Sequence, residues 1–113
     1  MGEKPGAIPQ AAVKIVQELY SRNMPVAAQM SGVEILGAAG LLKGRSFAMG
    51  EGWENWSPYL KDGVFKGVGV VRDGNVLTSG TCPWFAHMSG QRLKDGTDDL
   101  VTTFVEMLKE HAN

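Results

Sequence analysis

Pro25 to Lys43, PVAAQMSGVEILGAAGLLK, is the stretch whose reading decides the fold. Val26-Ala27-Ala28 is short, apolar and without a polar face, as strands of a parallel sheet are when helices cover both sides. Gly32 to Ala39 reads as a helix closed by Gly40. Between them lies a sharp turn, with the small residues Ala28 and Gly32 placed two before and two after Met30. A strand, a tight turn and a helix in that order make a nucleophile elbow, whose crowded backbone favours small side chains at those two places. The apex here is Met30, and a thioether has no proton to lose, so the usual thiolate or alkoxide is missing. The stretch predicts the scaffold of an active site without its usual reactive atom.

The elements on either side extend an α/β pattern. Residues 1–6 read as a lead-in, and Ala7 to Arg22 as an amphipathic helix buried along Ala12, Ile15, Val16 and Leu19. Asn23 and Pro25 end it. Arg45 to Met49 is an expected strand, and Gly50 to Gly63 a loop or short helix with two tryptophans. Val64 to Arg72 reads as a strand, Asp73-Gly74-Asn75 as a hairpin turn, and Val76 to Ser79 as the returning strand. Gly67 and Gly69 predict close packing or a bulge; no helix start follows them, so they make no dinucleotide fingerprint. Gly80 to Gly96 reads as a long connection of the kind that carries function. Thr97 caps a last helix, with Asp98 and Asp99 at its positive end and a stripe of Leu100, Val101, Phe104, Val105 and Leu108. No repeat or linker divides the chain, so 1–113 is expected to be a single domain.

Composition excludes some classes. A net charge of −1 gives no basic footprint, so nucleic acid is not an expected partner. No apolar run reaches the roughly 18 residues of a membrane span, and the first ten residues lack the apolar core of a signal peptide. A membrane partner is therefore not expected either. The one cysteine, Cys82, cannot form an internal disulfide, which fits a cytoplasmic location.

The candidate site residues are few. Cys82 and His87 are the weak catalytic candidates: a displaced thiol that a neighbouring histidine turns to thiolate. A cysteine packed as a small hydrophobe is the plainer reading. Neither His87 nor His111 has ligands at metal spacing, so no metal site and no cofactor is expected. Trp53, Trp56 and Tyr59, with Trp84, are candidates for a pocket wall or an interface anchor. Met30, Ser31 and Gly32 form the elbow-equivalent position. The backbone N–H groups of Ser31 and Gly32 are expected to offer an anion or carbonyl site that survives loss of the nucleophile.

Three blocks carry a resemblance. Pro25–Arg45 is similar to the elbow region of the PfpI/ThiJ family of the class I glutamine amidotransferase-like superfamily, with Ala38–Gly44, AAGLLKG, matching the turn after the elbow helix. Val70–Gly80, VVRDGNVLTSG, resembles the family's late hairpin, and the run from Asp95, DGTDDLVTTFVEMLK, its last helix. The blocks occur in the family's order and span nearly all of the chain. Met30 stands where the family has its cysteine, and Ser31 where it has histidine.

The resemblance implies an α/β fold, a flavodoxin-like three-layer α/β/α sandwich, of which this chain is the second half. The β-α-β segment that opens family members has no counterpart here. It further implies an assembly, either a homo-oligomer or a pairing with a chain that supplies the missing half. The expected function is a divergent member, non-catalytic at the elbow, acting as a subunit or small-molecule-binding module. The alternative is an active enzyme of hydrolase, amidotransferase-like or glyoxalase/deglycase type that uses Cys82 or a partner's residues.

Overall fold

The computed structural model describes residues 8–112. The expected lead-in over 1–6 and helix start at Ala7 lie outside the described residues. The chain is a small α/β fold. It runs α1 (Gln10–Ser21), β1 (Val26–Gln29), α2 (Gly32–Ala38), β2 (Ser46–Phe47), β3 (Val64–Phe65), β4 (Val70–Asp73), β5 (Val76–Ser79), α3 (Pro83–Met88) and α4 (Thr97–Ala112). Two 3-10 turns, Trp53–Asn55 and Pro58–Leu60, lie between β2 and β3.

Local chemistry sets the helix ends. Asn23 takes the left-handed conformation after α1 (φ 65°), which its short polar side chain tolerates. Met24 N–H then donates to Leu19 O and Asn23 N–H to Tyr20 O, the paired bonds of a Schellman stop. Gly40 (φ 81°) ends α2 in the same way, with Leu41 N–H to Leu36 O and Gly40 N–H to Gly37 O.

A three-stranded sheet has the order β1-β5-β4. β1 runs parallel to β5, with Val26 opposite Val76 and Gln29 opposite Ser79. β4 returns antiparallel to β5 through the two-residue turn Gly74–Asn75. β2 and β3 form a separate parallel pair. Among the described residues, β1 has no strand on its other edge, and Ala27 there is exposed.

The core has two sides. α1 and α2 pack on each other and on β1. They enclose a cluster containing Val13, Val26, Val33, Leu36, Leu42, Phe47, Met49, Leu60 and Val76. Successive strand residues face opposite ways, so Leu77 turns to the other side. There α4 packs on β5 and β1, and Leu77 and Met107 are buried outside the first cluster.

Several expectations are corrected. The strand expected over Val64–Arg72 is two strands in two sheets. The chain leaves β3 through Gly67 (φ 125°), a conformation that β-branched neighbours avoid, and re-enters pairing as β4. The strand expected over Arg45–Met49 keeps only Ser46–Phe47. The long connection Gly80–Gly96 contains α3, started by Cys82 as cap and Pro83 at the first position, where its missing N–H costs nothing. The expected helix stripes are rotated. On α1 the inward face runs Ala12, Val13, Val16, Tyr20, leaving Ile15 and Leu19 exposed. On α4 it runs Leu100, Thr103, Phe104, Met107, leaving Val101, Val105 and Leu108 exposed. Both helices have more apolar residues than the present sheet can cover. No described helix is long and apolar enough to cross a membrane.

Candidate active-site elbow

Parallel pairing brings the carboxyl ends of β1 and β5 out on one side. Met30 leaves β1 there and Cys82 follows β5. In open α/β sheets this is the side where ligands bind. Met30 has φ 52°, the left-handed conformation of an elbow apex, which costs a non-glycine residue about 1–2 kcal/mol. Two bonds hold it: Met30 N–H donates to Ser79 O at 2.9 Å, and Val33 N–H donates to Met30 O at 2.9 Å. The two small residues meet across the turn, since a Cβ on Gly32 would sit 3.5 Å from Ala28 Cβ.

The apex side chain occupies a defined place. A Cβ on Gly50 would stand 3.0 Å from Met30 Cε, 3.1 Å from Met30 Sδ and 2.9 Å from Phe85 Cε2. Gly50 thus lets the thioether and the phenyl ring close over its backbone. Gln29 points to the opposite face. Its Nε2 donates to Ser79 Oγ at 3.1 Å and Thr81 O at 3.2 Å, tying β1 to the segment that carries Cys82.

Beside the apex is a cleft of about 210 Å³ lined by Met30, Ser31, Glu34, Met49, Trp53, Cys82 and Trp84. It brings together five residues singled out from the sequence: Met30, Ser31, Trp53, Cys82 and Trp84. The others lie elsewhere. Trp56 stacks edge-on against Trp53, with centroids 5.1 Å apart, and lines a shallow neighbouring hollow. The Tyr59 carbonyl presses on α2 at Gly37, where an added Cβ would come within 2.2 Å of the oxygen. Gly32 is not part of the lining. His87 is exposed, five residues beyond Cys82 and about 7.5 Å along the axis of α3. Cys82 Sγ instead accepts a bond from Phe85 N–H at 3.4 Å.

Glu34 and Met49 join the cleft without having been singled out. Glu34 is 5% exposed, and its Oε1 is buried with no hydrogen-bond partner. It lies one helical turn beyond Met30, the only charged residue in the run Val33–Leu42. That isolation, at four residues from the apex, was the available signal. Glu54 Oε1 is likewise buried without a partner, next to Trp53 in sequence.

The expected anion site at the start of α2 meets two obstacles. The helix has only seven residues, so its dipole is short. Its first turn already holds Glu34, whose N–H is taken by Ser31 O at 3.1 Å. A larger cavity of about 300 Å³, lined by Asn23, Asn75, Met107, Glu110 and His111, lies at the amino ends of β1 and β5. It holds no buried unpartnered group among the described residues, and its Glu110 is already paired with Arg72 at 2.8 Å. The smaller cleft therefore has the stronger claim as a site. Among the described residues no three His, Cys, Asp or Glu side chains are grouped to hold a metal ion. No family model matches the chain, and no curated protein matches it.

Proposed function

We propose that this chain is a divergent PfpI/ThiJ-like subunit whose elbow is a small-molecule-binding site and not a reaction centre. The observation that carries this is the buried, unpartnered Glu34 oxygen in the wall of an apolar cleft beside a left-handed Met30. Backbone strain and an orphan acceptor both cost stability, and such costs concentrate where a ligand repays them. Met30 supplies no nucleophile, so binding is what the cleft can do by itself.

The apolar surface left on α1 and α4, together with the unpaired edge of β1, supports the subunit part of the reading. The partner is a second copy or a chain that supplies more of the sheet.

The enzyme alternative uses Cys82 or a partner's residues, and within this chain it rests on Cys82, so one experiment separates that form of it from binding. Tryptophan fluorescence is titrated with short alcohols, and hydrolysis of p-nitrophenyl acetate is followed, before and after alkylation of Cys82 with N-ethylmaleimide. The expected result is saturable binding that alkylation blocks by filling the cleft, with hydrolysis at the buffer rate throughout. Turnover that alkylation abolishes would establish the enzyme reading instead.

A further inference from the structure

We infer that the elbow cleft selects a small organic cation: an ammonium or guanidinium group on a short apolar body. This rests on the reading of the cleft as a ligand site and adds the chemical class of the ligand. Three features of the cleft point the same way.

The first is the orphan acceptor. Glu34 is 95% buried, and no described donor reaches its Oε1. A buried acid oxygen without a donor is costly, and a charged N–H donor repays most, because charge-assisted hydrogen bonds are the strong ones. The second is what the wall lacks. No Lys, Arg or His lines the cleft, so nothing in it would pair with a ligand carboxylate or phosphate. An anion entering there would meet Glu34. The third is the aromatic surface. Trp53 and Trp84 line the same space, and indole faces attract cations held within about 6 Å. The remaining wall, from Met30, Met49 and Cys82, is polarizable and apolar and suits an alkyl body. At about 210 Å³ the cleft is smaller than the roughly 300 Å³ at which drug-sized pockets begin, so the ligand is small.

Three probes of one shape test this: 3-methylbutylamine, 3-methylbutanol and 3-methylbutanoate, each titrated at neutral pH against tryptophan fluorescence. The ammonium is expected to bind about tenfold or more tightly than the alcohol, and the carboxylate least. Glu34→Gln keeps the shape and removes the charge. It is expected to erase the preference for the ammonium while changing alcohol binding less than about twofold. Trp84→Leu alters a side chain that is 66% exposed, so the fold tolerates it. It is expected to weaken the ammonium several-fold, and the alcohol less. Alcohol binding as tight as the ammonium, or carboxylate binding that is tightest, would overturn the cation class and leave the ligand site standing. Binding of none of the three would overturn both.

Discussion

At the residue scale, Met30 and Glu34 set the character of the cleft. Met30 holds a left-handed turn between β1 and α2 with a side chain that cannot act as a nucleophile. Glu34 keeps a carboxyl oxygen buried without a donor. If stability alone were selected, Glu34 would be a poor choice at a site this buried. Replacing an unsatisfied buried polar group with an apolar one of similar shape removes a penalty of about 1–3 kcal/mol. Glu34→Met is therefore expected to raise the unfolding free energy by an amount of that order, read as a higher urea midpoint with an unchanged slope. Sites that bind commonly give up stability in this way. A lower midpoint would mean that Glu34 has partners that hold the fold together. Met30 was legible because small residues at fixed offsets mark the turn. Glu34 was legible only as the one charge in the run Val33–Leu42, because sequence does not reveal which residues of α2 face inward beside the apex.

At the element scale, Gly37 within α2 and Gly40 just beyond its end make contrasting predictions. At Gly37 an added Cβ would meet the Tyr59 carbonyl at 2.2 Å and its carbon at 2.9 Å, and both are backbone atoms. Gly37→Ala must push α2 away from the Pro58–Leu60 turn, and is expected to cost more than about 2 kcal/mol. At Gly40 there is open space, so Gly40→Ala pays only the left-handed backbone, about 1–2 kcal/mol. Thermal melts of the two variants read the difference, and equal losses would contradict the packing described.

A pH effect belongs to this scale as well. Hydrogen bonds from the Arg72 guanidinium, and then its charge, hold the Glu110 carboxyl below its ordinary 4.5. A lowered folded-state pKa stabilises above the unfolded value, and that contribution is lost as pH falls through the lowered one. The pair ties the end of α4 to β4, but both side chains are exposed at the surface, so the effect is small and weakens with salt. Arg72→Gln is expected to flatten the fall in melting temperature below about pH 4.5 at low salt, and to change little in high salt.

Most of these elements were legible in the sequence. Asn23 and Gly40 stop helices where expected, and Gly74–Asn75 turns the hairpin. α3 was missed because a six-residue helix shows too little periodicity, although Cys82-Pro83 at its start and Gly90 after its end were visible punctuation. The split of β3 from β4 was missed for a different reason. In sequence Gly67 and Gly69 read as close packing or a bulge within one strand, and only tertiary pairing with β2 and β5 separates the halves.

At the scale of the whole molecule, the burial of α1 and α4 is the main departure. Apolar periodicity located both helices, but Ile15, Leu19, Val101, Val105 and Leu108 all stay more than a third exposed. A stripe wider than its cover cannot be oriented from sequence alone. These residues belong to two of the three helices that pack on β1, the strand with an unpaired edge. Exposed apolar surface of this kind associates. Light scattering of the purified chain is expected to give a mass of at least a dimer, against 12.2 kDa for one chain. The double variant Ile15→Lys, Val101→Lys is expected to lower that mass toward the monomer. A wild-type monomer at high concentration would contradict the subunit reading.

The elbow claim has a still more direct test in the methionines. Met30 and Met49 line the cleft, Met107 lines the opposite cavity, and Met24 and Met88 line neither. With carbon-13 in the methionine methyl groups, the protein is titrated with 3-methylbutylamine and 3-methylbutanol and followed by NMR. Saturable shifts of the Met30 and Met49 methyls, with Met24, Met88 and Met107 unmoved, are the predicted result. Shifts centred on Met107, or no saturable shift at any methyl, would contradict a ligand site at the elbow.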